Sequence, residues 1–207
     1  MAGHSEEFKR IQLTLKKVGA ALRDAEIPFA LGGSLAAWAR GGPESTKDLD
    51  FMIRERDVDR ALGALGDAGL RTERPPEGWL VKAWDGEVMV DLIHHALGVP
   101  ITDEVLERAD TQSVFSLTMR VLSLEDLLSS KLLALNEHSL DYEPVLTIAR
   151  ALREQVGWQE VRTRTAESPY ARAFFALMDE LDLEVAAAPG FDPAARSRSR
   201  IRVLPPS

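Results

Sequence analysis

The feature of this sequence that most restricts its fold is a pair of short apolar segments joined by a glycine pair and a short helix. Residues 29–31 (Phe-Ala-Leu) are typical of a buried strand, and residues 32–34 (Gly-Gly-Ser) follow them directly. A helix is predicted over residues 35–40, because glycines and a proline at residues 41–43 then end the helical pattern. Residues 49–53 (Leu-Asp-Phe-Met-Ile) form the next predicted strand.

Further periodic segments lie on both sides of this unit. Apolar runs at residues 79–84 and 87–94 flank Asp85 and Gly86, and Asp-Gly between apolar runs predicts a β-hairpin. Another short strand is predicted at residues 120–122. The other predicted helices cover residues 5–25, 56–70, 124–135, 143–156 and 169–183, with Ser123 and Ser168 as N-caps of the third and the fifth.

These elements indicate an α+β fold, a small mixed β-sheet with flanking helices and a C-terminal helical part. A length of 207 residues suits one domain, or one domain with a helical extension. We place the core at residues 1–122 and the helical part at residues 123–185. Residues 186–207 are rich in proline, glycine, alanine, arginine and serine, and this composition predicts a loose tail.

Composition excludes several classes of protein. The absence of cysteine excludes disulfides, thiolate zinc sites and cysteine nucleophiles. No apolar run approaches the roughly 20 residues of a membrane span, and the N-terminus lacks the pattern of a signal peptide, so we expect a cytoplasmic protein without membrane contact.

The net charge of −8 is not typical of a general nucleic-acid-binding protein. Arginines nevertheless concentrate in the C-terminal half, where they are compatible with an RNA acceptor or with ordinary solvated surfaces. These arginines are Arg150, Arg153, Arg162, Arg164, Arg172, Arg196, Arg198, Arg200 and Arg202.

Asp48 and Asp50 are two residues apart at a predicted strand, and alternate residues of a strand point to the same face. Two adjacent carboxylates repel each other unless a cation lies between them. Mg²⁺ prefers carboxylate oxygens and leaves room for water and phosphate, and Mn²⁺ is the alternative ion. The competing interpretation is that one aspartate is exposed and the other caps a turn.

Asp91 is a third candidate ligand. It lies within the otherwise apolar segment 88–93, where an unpaired ionised carboxylate would be costly. We therefore expect Asp91 to face an opening, a metal ion or a cationic side chain, on a strand next to that of Asp50. Two metal ions held by three such carboxylates could assist the displacement of pyrophosphate. A plain salt bridge to a lysine or arginine is the alternative.

Gly33 and Ser34 occupy the turn between a predicted strand and a predicted helix start. Glycine permits close approach of the backbone, and free N–H groups at a helix N-terminus favour phosphate. The hydroxyl of Ser34 could bond a phosphate oxygen, or it could simply cap its own helix. The Gly-Lys-Ser/Thr ending of a P-loop is absent.

Taken together, Gly33, Ser34, the Asp48–Asp50 pair and Asp91 resemble the nucleotidyltransferase superfamily of the polymerase-β type, over residues 25–95. The resemblance implies transfer of a nucleoside monophosphate from an NTP to an acceptor, with Gly33 and Ser34 at the nucleotide and the three aspartates as metal ligands. It leaves open whether ATP, CTP, GTP or UTP is used.

The segment at residues 123–135, with Lys131 and then Asp141, resembles the AbiEii-like branch of this superfamily. That branch contains toxins of bacterial toxin–antitoxin systems. The resemblance implies that Lys131 contacts the triphosphate, that Asp141 is an alternative base or metal ligand, that tRNA is the acceptor, and that a cognate antitoxin is a partner. Without the resemblance, Lys131 is predicted to be a surface lysine and Asp141 a helix N-cap.

Two other functions share these motifs. One is adenylylation of a small molecule, as in aminoglycoside or lincosamide resistance, which Asp91 as the sole base would favour. The other is a catalytically silent antitoxin or binding module, against which the intact acidic cluster argues. From the residues alone we expect Asp91, rather than Asp141, to be the third carboxylate.

Histidines and tryptophans offer weaker candidates. His94 and His95 lack metal-ligand spacing and are expected to be ordinary strand-end residues, although one of them could line the site. Trp79, Trp84 and Trp158 are expected to pack in the core or across a hairpin rather than to stack on bases.

Overall fold

The structure is a computed structural model that describes residues 2–44, 48–96 and 99–183, with side chains from residue 6 onward. Its largest element is a seven-stranded sheet in the order β3-β4-β5-β2-β1-β9-β8. The strands are β1 Phe29–Leu31, β2 Leu49–Ile53, β3 Arg71–Glu73, β4 Leu80–Asp85, β5 Val88–Ile93, β8 Asp110–Val114 and β9 Leu117–Val121, while β6 His95–Ala96 and β7 Val99–Pro100 pair separately.

Eight α-helices are present in the described residues. They are α1 Ala2–Asp24, α2 Gly33–Trp38, α3 Val58–Asp67, α4 Asp103–Glu107, α5 Leu124–Leu133, α6 Glu143–Leu152, α7 Trp158–Arg164 and α8 Pro169–Glu180. Short 3₁₀ helices cover Glu55–Asp57 and Arg153–Gln155. The predicted α+β class and mixed sheet are confirmed.

The sheet is mixed because its central strands run in both directions. β1 pairs antiparallel with β2, and β2 pairs parallel with β5, although β3 and β4 lie between them in the chain. β9 returns parallel to β1 and forms an antiparallel hairpin with β8. The predicted β4–β5 hairpin is present, but its two-residue turn is Gly86-Glu87, one residue later than the predicted Asp85-Gly86, and Gly86 adopts a φ of +64°.

Local sequence signals located the buried elements well. β1 and β2 have the predicted bounds, and both predicted N-caps are confirmed. Ser123 Oγ accepts the N–H of Asp126 at 3.1 Å, and Ser168 Oγ accepts the N–H of Ala171 at 3.2 Å. These bonds satisfy N–H groups that have no partner within the helix.

The helix predicted over residues 35–40 begins two residues earlier, at Gly33. The one predicted over residues 56–70 starts as a 3₁₀ turn and ends at Asp67, while the one predicted over residues 143–156 ends at Leu152. The strand predicted at residues 120–122 is the end of the longer β9. Helix ends depend on caps and packing as well as on periodicity, so the observed bounds differ from the predicted ones.

Several short elements escaped prediction because they lack apolar periodicity. β3 consists of Arg, Thr and Glu and is exposed, yet it pairs with β4, where the guanidinium of Arg71 lies 3.8 Å from the centre of the Trp84 ring. β8, α4, α7 and the β6–β7 pair were also missed. Trp84 and the buried Trp158 pack as expected, whereas the Trp79 side chain is 43% exposed.

One hydrophobic cluster joins the sheet to the C-terminal helices. Leu15, Phe51 and Leu92 are fully buried in the sheet region, and Leu128 of α5 and Phe174 of α8 belong to the same cluster. α5 also contacts α2, so the helix that carries Lys131 packs against the helix that begins at Gly33. The predicted tail, residues 186–207, lies outside the described residues. Among the described helices, none has the length and apolar character needed to cross a bilayer.

Candidate active site

Three aspartates lie on or just before the neighbouring central strands β2 and β5. Parallel pairing of β2 with β5 sets Asp50 directly opposite Asp91, so their side chains emerge on the same face of the sheet. Asp48 lies just before β2, is exposed, and adds its negative charge to the surroundings of Asp50. The predicted adjacency of the two strands is therefore confirmed, although Asp48 precedes the strand instead of belonging to it.

Burial raises the pKa of Asp50 to about 6, and the charges of Asp91 and Asp48 act in the same direction. The ammonium groups of Lys131 and Lys82 oppose this rise only in part. The two lysines therefore neutralise only part of the negative charge of the three aspartates. A partly buried group of carboxylates with excess negative charge fits a hard divalent cation, which binds oxygen ligands.

Lys82 is a further residue of this cluster that no sequence motif indicated. Its Nζ donates a hydrogen bond to Oδ1 of Asp91 at 2.8 Å, and the Asp91 side chain is only 14% exposed. The two residues are cross-strand partners in the β4–β5 hairpin. The predicted turn at Asp85-Gly86 would have set Lys82 opposite Met89, and the shift of the turn to Gly86-Glu87 sets it opposite Asp91. Asp91 thus has both features expected of it as alternatives, a neighbouring carboxylate in Asp50 and a salt bridge to Lys82.

Gly33 brings the backbone against the acidic cluster. Its φ is +58°, and a Cβ atom at this position would lie 1.7 Å from Oδ2 of Asp50. The preceding Gly32 donates its N–H to the carbonyl of Asp50 at 2.8 Å. Glycine is required at position 33 both for the left-handed backbone conformation and for the space that the carboxylate occupies.

Ser34 is the second residue of α2 and is partly buried. Gly32 occupies the N-cap position and has no side chain that could cap the helix. Ser34 follows Gly33, the residue whose backbone lies against the Asp50 carboxylate, and both interpretations of its hydroxyl, phosphate contact and helix cap, stay predictions.

Lys131 and Asp141 lie in different surroundings. Lys131 is partly buried on α5, and its charge is among those that lower the pKa of Asp50, so it lies on the side of the acidic cluster. Asp141 is exposed just before α6, where its Oδ1 accepts the N–H of Glu143 at 2.9 Å. The structure thus groups Lys131 with Asp48, Asp50 and Asp91, and it gives Asp141 a local role at a helix start.

Both histidines lie beyond the end of β5 rather than in this cluster. His94 is buried, which lowers its pKa, and His95 lowers it further. Together with Glu55 they form a separate group of possible metal ligands.

Comparison with known proteins identifies the class. A family model described as an uncharacterised nucleotidyltransferase matches residues 7–180, and the chain belongs to this family. It is therefore an enzyme that transfers a nucleotidyl group and uses an NTP as substrate. A comparison with curated proteins gave no match.

Two solved structures of the antibiotic-resistance factor ANT(2'')-Ia are similar to this chain. The solution structure has a TM-score of 0.57 at 16% identity, covering 84% of this chain and 97% of that chain. The crystal structure of ANT(2'')-Ia in complex with adenylyl-2''-tobramycin has a TM-score of 0.56 at 16% identity, covering 81% of this chain and 98% of that chain. At this identity the likeness shows a shared fold.

Proposed function

We propose that this enzyme transfers a nucleoside monophosphate to a hydroxyl group of a small molecule. The observation that carries the proposal is the pairing of Asp50 with Asp91 on adjacent parallel strands, while Asp141 lies in a turn before α6. Asp91 is then the general base of the transfer. Asp91 as the sole base favours an enzyme that acts on a small-molecule acceptor. Likeness of fold to ANT(2'')-Ia, over nearly the whole of that chain, supports the same class of acceptor.

Asp48, Asp50 and Asp91 would hold Mg²⁺ or Mn²⁺. Their oxygen donors and excess negative charge suit such an ion. A divalent cation at this position would polarise the α-phosphate and stabilise the charge of the departing pyrophosphate.

The transfer is an in-line displacement at the α-phosphorus. The acceptor oxygen forms a bond to phosphorus, and the bond from phosphorus to the bridging oxygen of pyrophosphate breaks. Asp91 would take the proton from the acceptor hydroxyl, because its carboxylate lies opposite Asp50 and Lys82 holds its Oδ1 in place. Lys131 offsets the negative charge of the triphosphate.

Close approach of the nucleotide to the backbone depends on residues 32–34. Since Gly33 carries no side chain, its peptide approaches Asp50 directly. The Ser34 hydroxyl would bond a phosphate oxygen. These residues would bind and orient the NTP rather than take part in proton transfer.

A second candidate is transfer to tRNA by the toxin of a toxin–antitoxin system, with a cognate antitoxin as partner. Lys131 near Asp50 favours it, because a lysine on this helix is the feature shared with the AbiEii-like branch. Two arginines of the C-terminal half weigh against it. Arg162 pairs with Asp179 at 2.5 Å and Arg164 pairs with Asp126 at 2.7 Å, so their charges are already partly compensated.

The two candidates differ in which acceptor becomes labelled. The enzyme is incubated with Mg²⁺ and each of the four NTPs, labelled at the α-phosphate, with either total tRNA or a panel of aminoglycosides and lincosamides. Label in a small-molecule product separated by thin-layer chromatography supports the proposal, provided that Asp91→Asn abolishes it. Label in tRNA-sized bands, with none in the small molecules, replaces it with the second candidate.

A further inference from the structure

A second group of metal-binding side chains lies away from the acidic cluster. It consists of Glu55, His94 and His95. One ligand atom from each residue lies within 4.8 Å of the other two. The reaction described above uses none of these residues, and their sequence positions gave no metal-binding motif.

Ligand atoms of the three side chains lie close together, and Nδ1 of His95 faces His94 while its Nε2 faces Glu55. Glu55 must therefore shift toward Nδ1 of His95 to complete one set of ligands. Nδ1 of His94 lies 2.9 Å from Nδ1 of His95, and Nε2 of His95 lies 3.8 Å from Oε2 of Glu55. Ligands of a tetrahedral zinc ion, each about 2.0–2.2 Å from the metal, lie roughly 3.3–3.6 Å apart. The Glu55 side chain is 67% exposed, so it can move by the small distance needed without disturbing the core.

Two of the ligands have fixed positions. His94 is 6% exposed, and the N–H groups of His94 and His95 both donate to the carbonyl of Trp79, at 3.1 and 3.0 Å. The carbonyl of His94 in turn accepts the N–H of Ile101 at 2.9 Å. The backbone that carries both histidines is therefore fixed before an ion binds, whereas the side chains of His95 and Glu55 still need ordering.

This group is separate from the acidic cluster. β2 and β5 run in the same direction, with Asp50 the second residue of β2 and Asp91 the fourth residue of β5. Glu55 follows the end of β2, and the histidines follow the end of β5. From Asp91 to His94 the chain advances three residues, a distance of about 10 Å along a strand. An ion held by the histidines would therefore not reach the position of the reacting phosphate.

We propose that Glu55, His94 and His95 form a second metal site, selective for Zn²⁺ or a similar imidazole-binding ion, that fastens the ends of β2 and β5 together. Two imidazoles and a carboxylate are ligands that Zn²⁺ accepts, whereas Mg²⁺ prefers a set of oxygens. The site leaves a fourth position for water or a solvent anion. Asp59 pairs with Arg74, whose positive charge acts on His94, and so offsets part of the repulsion between Arg74 and the ion.

The test uses the full chain, freed of metal by a chelator and kept free of nucleotide. Zn²⁺ is titrated by calorimetry with excess Mg²⁺ present, and Co²⁺ is titrated in parallel while the visible absorption of tetrahedral cobalt is recorded. We expect one saturable site and a rise in melting temperature with Zn²⁺. Glu55→Gln and His95→Gln should each weaken binding at least tenfold and remove the cobalt band. His94→Gln is avoided because the side chain is buried.

Two control variants locate the ion. His138→Gln alters an exposed histidine that lies 3.2 Å from Glu137, and it should leave binding unchanged. Asp50→Asn should also leave it unchanged, because the acidic cluster is elsewhere, and this separates the second metal site from the proposed reaction. The proposal is overturned if the wild type shows no saturable Zn²⁺ binding, if the double variant Glu55→Gln/His95→Gln binds as tightly as the wild type, or if Asp50→Asn abolishes binding.

Discussion

Replacing Asp50 with asparagine should make the metal-free protein more stable at neutral pH, although it should abolish transfer. The charged form of Asp50 is disfavoured in the folded state, first by burial and then by Asp91, which together raise its pKa from 3.8 to about 6. Each unit of pKa corresponds to about 1.36 kcal/mol, so ionised Asp50 costs about 2 to 3 kcal/mol of unfolding free energy. Asparagine has nearly the same shape and carries no charge.

The pH window follows from the direction of the change. A carboxyl group whose pKa is raised on folding is tolerated while it is protonated, and its penalty develops as pH rises from about 4 through about 6. Urea unfolding without metal should therefore show wild type and Asp50→Asn converging near pH 4. Above about pH 7 the variant should be more stable by about 2 to 3 kcal/mol, or roughly 4 to 12 °C in melting temperature for a chain of this size.

Mg²⁺ should remove most of this difference. It should stabilise the wild type at neutral pH and have little effect on the variant, because only the wild type presents the full set of carboxylates. Asp48→Asn is the matched control, since Asp48 is exposed and its replacement should change stability by less than about 1 kcal/mol. A stability difference between wild type and Asp50→Asn that does not vary with pH would refute the electrostatic argument.

Three further variants test other parts of the site. Gly33→Ala should lower stability by about 2 kcal/mol or more and abolish transfer, because the new Cβ would collide with Asp50, whereas Gly63→Ala in the open face of α3 should be neutral or stabilising by up to about 1 kcal/mol in thermal melts. Lys131→Ala should reduce transfer at least tenfold, equivalent to about 1.4 kcal/mol, while an unchanged rate would place Lys131 outside the nucleotide site. Ser168→Ala should cost about 1 kcal/mol in urea unfolding through loss of the α8 cap, without altering KM for the NTP.

The sequence by itself determined the local elements and several of their details. β1, the turn at residues 32–34 and β2 follow from short apolar runs separated by glycines, and the side-chain pattern of β2 points Leu49, Phe51 and Ile53 into the core. Asp85-Gly86 located the hairpin but not its register, because the observed turn lies one residue later and thereby sets Lys82 opposite Asp91. Such features are local, because they depend on backbone preferences of a few neighbouring residues.

Only the tertiary structure decided which distant residues meet. β2 and β5 are parallel neighbours although two other strands lie between them in the chain, and that pairing brings Asp50 and Asp91 together. Packing of α5 against α2 brings Lys131 to the same place, and the end of β5 beside the 3₁₀ turn after β2 groups the histidines with Glu55. Strand order and helix docking are chosen by the burial of apolar surface over the whole chain, and no local periodicity encodes that choice.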